Sequence, residues 1–149
     1  RHFASKAQMF EALIDFIEST LFGLINQINE REPAANAQAA RIVAMVLQFG
    51  EKNPGMTRVM VGDALVFENE RLQQRMNLLF DKLEAALRQS LRGLPQGVDP
   101  AESATPTADA QVAASMLTAF MMGRLQRFAR SGFRRAPTEM LEPTLARLL

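Results

Sequence analysis

The side chains that could do chemistry in this sequence are few. It has no cysteine and one histidine, His2. Disulfides, thiolate nucleophiles, thiolate metal sites and multi-histidine metal sites are therefore excluded. Glu68 and Glu70 form a carboxylate pair, but no histidine or metal-ligand spacing stands near them. General acid–base work needs such a partner to set the proton affinities. No catalytic constellation emerges, so the chain reads as a non-enzyme with no cofactor and no metal. What remains is binding chemistry. Ser5 and Lys6 open a helical stretch. There, free backbone N–H groups and a cation suit a phosphate, although capping and solubility are the ordinary roles of these residues. Phe16 stands about 120° from the centre of its helix's apolar stripe. Its neighbours on that flank, Ala12 and Gly23, are small, so the ring stands proud. It is either the edge of a core or the anchor of a partner surface, since aromatics dominate interface energetics. Arg124, Arg127, Arg130, Arg134 and Arg135 form a basic run. Its ordinary reading is a solvated face whose cations oppose the helix dipole. A nucleic-acid or lipid contact is the weaker alternative.

The elements that must position these groups are all helices. The chain has 149 residues, about the size of one domain, with a net charge near +1. That balance announces neither a nucleic-acid nor a membrane partner. The longest apolar run, Ile42–Leu47, is far short of the roughly 20 residues a membrane span needs. No signal peptide pattern opens the chain, and Arg1 reads as a truncated start. Ser5 and Gln8 make a capping box. Phe10, Leu13, Ile14, Ile17, Leu21, Leu24, Ile25 and Ile28 then recur at helical period to about Glu30. A second helix is predicted from Ala34 to Glu51, stopped by Asn53-Pro54-Gly55. A short one follows over Thr57 to Phe67, and a long one over Asn69 to Arg92 with Leu72, Met76, Leu79, Phe80, Leu83, Leu87 and Leu91 inward. Gly93 to Thr107, rich in proline, glycine and small polar residues, reads as a loop. Helices over Ala108–Arg130 and Glu139–Leu149 complete the chain.

The helix from Ala108 carries two apolar stripes. Ala110, Ala114, Leu117, Met121, Leu125 and Phe128 make one, and Ala113, Met116, Phe120 and Gly123 the other. Burial on two sides is required, and a second copy of the chain supplies the second side. The expected dimer interface holds Ala113, Leu117, Phe120, Met121 and Phe128. A central core helix in a monomer is the alternative. The nine methionines and ten phenylalanines could line a ligand pocket, but methionine is also ordinary core filler.

A resemblance enters with the first residues. Arg1-His2-Phe3-Ala4-Ser5-Lys6, followed by Met9-Phe10, resembles the end of the helix-turn-helix of TetR-family regulators. The reading helix of that motif lies upstream of this sequence. Further blocks resemble the branch of the family that works in nucleoid occlusion. They are Phe49 through Arg58, Ala64 through Glu68, Arg71-Leu72-Gln73, Leu83-Glu84-Ala85, Leu87-Arg88-Gln89, Arg124 through Phe128, Arg130 through Phe133, and Pro137-Thr138. The resemblance implies an all-α, TetR-type C-terminal helical bundle that dimerises through a four-helix interface. It implies residues 1–6 as a remnant of the DNA-binding head and 7–149 as the dimerisation and partner domain. Arg1, His2 and Lys6 would touch the DNA backbone without reading bases. The implied partners are specific double-stranded DNA for the full-length protein, a second copy, and the C-terminal tail of the division protein FtsZ, with no membrane. Ring assembly would be antagonised from chromosomal sites, in the nucleoid-associated cytoplasm. The tail groove implied along the first two helices would use Phe16, Lys52 and Asn53. Leu24, Met45 and Gln48 depart from the residues expected around it. A ligand-responsive TetR repressor and a plain helical dimerisation module stay open as alternatives. A buried apolar cavity would favour the repressor, and a surface groove at Phe16 and Lys52 the division regulator.

Overall fold

The computed structural model describes residues 3–92 and 106–149, and among them every regular element is helical. Helix α1 spans Lys6–Arg31. The Gln8 N–H donates to Ser5 Oγ at 3.1 Å, and the Ala4 N–H donates to Gln8 Oε1 at 3.2 Å. The first is the expected cap; the reciprocal bond falls on Ala4, one residue before the N-cap, instead of on the Ser5 N–H. Phe10, Ile14, Ile17, Leu21 and Ile25 are the buried stripe.

Three residues separate α1 from α2, Ala35–Lys52, so the two helices form an antiparallel hairpin. Ala34 offers no capping side chain. Glu32 substitutes for one, accepting from the Ala34 N–H at 3.3 Å while pairing with Arg41 at 3.3 Å. Helix α2 is the central helix and touches α1, α3, α4 and α5. Gly50 makes one of these contacts possible, because a Cβ there would run into the Leu125 side chain.

Helix α3 spans Pro54–Met60, which corrects the expected Thr57–Phe67 helix at both ends. Pro54 does stop α2, but it also begins the next helix at once. Its fixed φ and missing N–H cost nothing in a first turn. The Thr57 hydroxyl, fully buried, donates to Gly50 O at 2.7 Å and seals the elbow. At the other end Gly62 turns the chain with φ +91°, and only a short 3-10 turn, Asp63–Leu65, follows. Helix α4, Glu70–Arg92, starts on Asn69, whose Oδ1 accepts from the Arg71 N–H at 2.9 Å. It runs parallel to α1, and three ion pairs tie the two: Arg71–Glu11 at 2.7 Å, Arg75–Asp15 at 2.7 Å and Lys82–Glu18 at 3.2 Å.

Residues 93–105, most of the expected Gly93–Thr107 loop, lie outside the described residues. Pro106 and Thr107 belong to α5, Pro106–Arg130, which starts earlier than the sequence suggests. The chain leaves α5 through Gly132 at φ +67° and Phe133 at φ +64°. The Phe133 ring meets Phe128 edge-on at 5.1 Å. Helix α6 spans Leu141–Leu148 rather than Glu139–Leu149, with Pro143 harmless in its first turn.

The core is one cluster fed by every helix. It corrects the expected dimer interface. Leu117 and Met121 are 0% exposed and Phe128 is 3% exposed within a single chain. They pack inward, so a second copy cannot reach them. Ala113 and Phe120 are half-buried at the boundary. Met76 and Met121 also lie in this core, which makes them filler rather than lining of a surface site.

Candidate partner groove and dimer face

Phe16 is 51% exposed on the outer flank of α1. It begins a stripe at helical spacing that continues through Thr20, Leu24, Gln27 and Arg31. Across the hairpin, α2 shows a matching stripe of Arg41, Met45, Gln48 and Lys52. Because the helices are antiparallel, Arg31 faces the Arg41 end and Phe16 lies level with Lys52. Both of the latter are roughly 22–26 Å from the turn at 1.5 Å rise per residue. Between the stripes lies an open depression of about 230 Å³ lined by Leu24, Gln27, Ile28, Arg31, Arg41 and Met45. Its floor is apolar and its turn end carries Arg31 and Arg41, the latter paired with Glu32, while Phe16 and Lys52 lie further along the same two stripes, beyond its lining. Such a strip can bury the apolar side chains of an extended or helical peptide while its cations attract acidic ones.

The groove uses the expected residues unequally. Phe16 and Lys52 face solvent and are available. Asn53 is largely committed to the fold. Its Nδ2 donates to Phe49 O at 2.8 Å and its N–H to Gly50 O at 3.2 Å, closing the end of α2. Leu24 and Met45, the departures noted in the sequence, line the depression itself. Gln27, Arg31 and Arg41 were not singled out, and Ile28 was read only as part of the apolar stripe. Their spacings of three, four and seven residues from Leu24, and of four from Met45, were the signal that could have found them.

Arg1 and His2 lie outside the described residues. Lys6, the third expected DNA-backbone residue, is exposed, but its Nζ lies 3.3 Å from Glu68 Oε2 and 6.0 Å from the centre of the Phe10 ring. Its charge is shared with an intramolecular carboxylate.

The basic run is not one solvated face. Arg124 lies over the Phe120 ring at 4.7 Å and donates to Pro137 O at 3.1 Å and to Glu139 O. Burial first, and the Arg127 charge second, lower its pKa from the ordinary guanidinium value. Glu139 binds Arg135 at 3.2 Å and Arg127 at 3.8 Å. The Arg135 hydrogen bond above all holds its carboxyl below the usual range. Thr138 adds a 2.6 Å bond to Glu51, tying this segment to α2. Arg130 and Arg134 stay exposed.

On α5, a second surface stands out. Val112, Met116 and Met122 are exposed, and Ser115, Ala119 and Gly123 form a small-residue line beside them. Leu78 of α4 is exposed as well. An open depression of about 410 Å³, lined by Met122, Gly123, Gln126, Arg127 and Arg130, continues this face. No helix among the described residues is long and apolar enough to cross a membrane.

An all-helical body with an antiparallel hairpin and a long α4–α5 pair fits a TetR-like C-terminal domain. Residues 34–148 match the SlmA-like family model described as the tetracyclin repressor-like C-terminal domain. The chain is similar to the nucleoid occlusion factor SlmA of Enterobacter sp. (strain 638), at 47% identity over 139 residues, which is 93% of this chain and 68% of that protein. The namesakes from Klebsiella pneumoniae subsp. pneumoniae and Salmonella newport are 46% identical over the same shares. The chain belongs to the SlmA family of nucleoid occlusion factors, a class of TetR-like regulators.

Proposed function

We propose that this protein, in its full-length form, is a DNA-bound regulator of cell division that engages FtsZ and antagonises ring assembly at chromosomal sites. It is not an enzyme, and it works in the cytoplasm at the nucleoid. What supports this reading is the pair of facing stripes on α1 and α2, with an apolar depression between them at the turn end and Phe16 and Lys52 exposed further along. The FtsZ C-terminal tail is its occupant, with Phe16 and Lys52 at one end and Arg31 and Arg41 at the other. Asn53 acts by closing α2 so that Lys52 is presented. Leu24, Met45 and Gln48 set which residues of the tail are accepted.

In the same reading residues 1–6 end the helix-turn-helix head and 7–149 form the dimerisation and partner body. Arg1, His2 and Lys6 meet the DNA backbone, with Lys6 exchanging Glu68 for phosphate. The protein is a homodimer, with α4 and α5 of each copy forming the four-helix interface. Val112, Ser115, Met116, Ala119, Met122 and Gly123 make the contact, in place of the inward-packed Leu117, Met121 and Phe128. Small residues at i, i+4 and i+8 let two such helices approach closely.

The test is fluorescence anisotropy of a labelled FtsZ-tail peptide on the full-length dimer, with and without its DNA site. Phe16→Ala is expected to weaken binding about tenfold with an unchanged melting temperature. Undiminished affinity in that variant refutes the groove.

A further inference from the structure

Glu51 stands next to Lys52 on α2, one residue from the cation at the far end of the paired stripes. A carboxylate that close lies inside the Debye length of about 8 Å at physiological salt. Where it points decides how much of the Lys52 charge an arriving partner meets. Lys52 is exposed, with no ion-pair partner among the described residues. Glu51 is half-buried and committed. The Thr138 hydroxyl donates to Glu51 Oε1 at 2.6 Å, across 87 residues of sequence. Successive residues of a helix project about 100° apart. The bond therefore keeps the Glu51 carboxylate on the flank of α2 that meets the segment after α5. That flank is turned away from the stripe that Lys52 shares with Gln48 and Met45.

Thr138 is itself braced. Arg124 lies over the Phe120 ring at 4.7 Å and donates to the carbonyls on either side of Thr138, Pro137 O at 3.1 Å and Glu139 O. Pro137 is buried, so the backbone here is set into the body. Glu139, the next carboxylate along, is paired with Arg135 at 3.2 Å and Arg127 at 3.8 Å. Both acids of this neighbourhood are thus taken up by partners in or after α5, and Lys52 is left unopposed.

We infer that Thr138 is a positioning residue that sets specificity: by tethering Glu51 away from the α1–α2 stripes, it keeps the Lys52 charge open to an acidic peptide. Arg124 is the brace that presents it. The use of this device in tail binding rests on the FtsZ reading, whereas the field it sets at position 52 does not.

The experiment measures that field first and tail binding second. Lys52→Cys is made in the full-length protein, and the reaction of the new thiol with an anionic disulfide reagent is timed against a neutral one. Adding Thr138→Val, which keeps the side chain's shape and removes the donor, is expected to lower the anionic-to-neutral rate ratio about threefold. Thr138→Ser should keep the ratio, and Glu51→Gln in the Thr138→Val background should restore it. Glu51→Asp, one methylene too short for the bond, is a second way to release the carboxylate and should lower the ratio as well. With Lys52 intact, the same changes should move affinity for an FtsZ-tail peptide in the same order, most at low salt. A ratio unchanged by both Thr138→Val and Glu51→Asp overturns the proposal. So does a fall that Glu51→Gln fails to reverse, because Thr138 is then a structural support only. Tail affinity that stays at the parent's while the ratio falls overturns it too. A parent protein that does not bind the tail, with the ratio still falling, sinks the groove reading and leaves the tether standing.

Discussion

Lys52 and Glu139 are both charged surface residues, yet they carry different consequences. Lys52 lies at the exposed end of α2 with no ion-pair partner among the described residues, so reversing its sign should leave stability alone. Lys52→Glu is expected to reduce FtsZ-tail affinity mainly through the association rate, and to flatten the dependence of binding on salt. Stopped-flow mixing at two ionic strengths reads both. Glu139 instead holds Arg135 and Arg127 together, and its carboxyl is kept below the usual range chiefly by the Arg135 hydrogen bond. A depressed carboxylate contributes stability that is full above its unfolded pKa and is lost as the pH falls through its folded value. Glu139→Gln should therefore melt earlier than the parent at pH 7. The gap should close as the pH drops below the carboxylate range, and thermal melts across that range would show it. None of this was legible in the run of arginines. Spacing shows where cations fall on a helix, but not that Arg124 folds back over Phe120 to hold the Pro137–Glu139 backbone.

At the scale of elements, the contact between α2 and α5 rests on Gly50. A methyl group there meets the Leu125 side chain, so Gly50→Ala is expected to cost about 1–3 kcal/mol, measured by urea unfolding. Gly23→Ala is the control: a Cβ there meets nothing within 4 Å, and adding it to a helix should stabilise slightly. The helices themselves were largely readable, because one apolar stripe at period 3.6 identifies α1, α2 and α4 without further information. The break at Gly62 was not. The residue after a helical pattern can continue it or reverse into positive φ, and only the packing of Leu65 and Gln73 around that turn decides.

For the whole molecule, the proposed dimer divides the two apolar arcs of α5 between the chain's own core and a second copy. Periodicity gave an arc wider than one neighbour covers. It could not say which part faces α2 and α4, because that depends on the rotation of α5 about its axis. Leu117, Met121 and Phe128 turn inward, while Val112, Met116 and Met122 stay outside. Ala119→Glu places a charge in the middle of the outward line and is expected to convert the proposed dimer to monomer. Its helical circular dichroism should be unchanged, since Ala119 is exposed within the chain. Sedimentation equilibrium of the variant at the parent's oligomerising concentration checks it. An unaltered mass would move the interface elsewhere.

Helix α1 runs unbroken for 26 residues, with Lys6 in its first turn and the groove along its later two-thirds. It is a ruler about 39 Å long. In the proposed reading, whatever docks in the groove is held at a fixed and short distance from the DNA. The spacing of polymer subunits captured by neighbouring molecules is then set by the intervals between chromosomal sites, and the chromosome itself becomes the template that mismatches the lattice of the division ring.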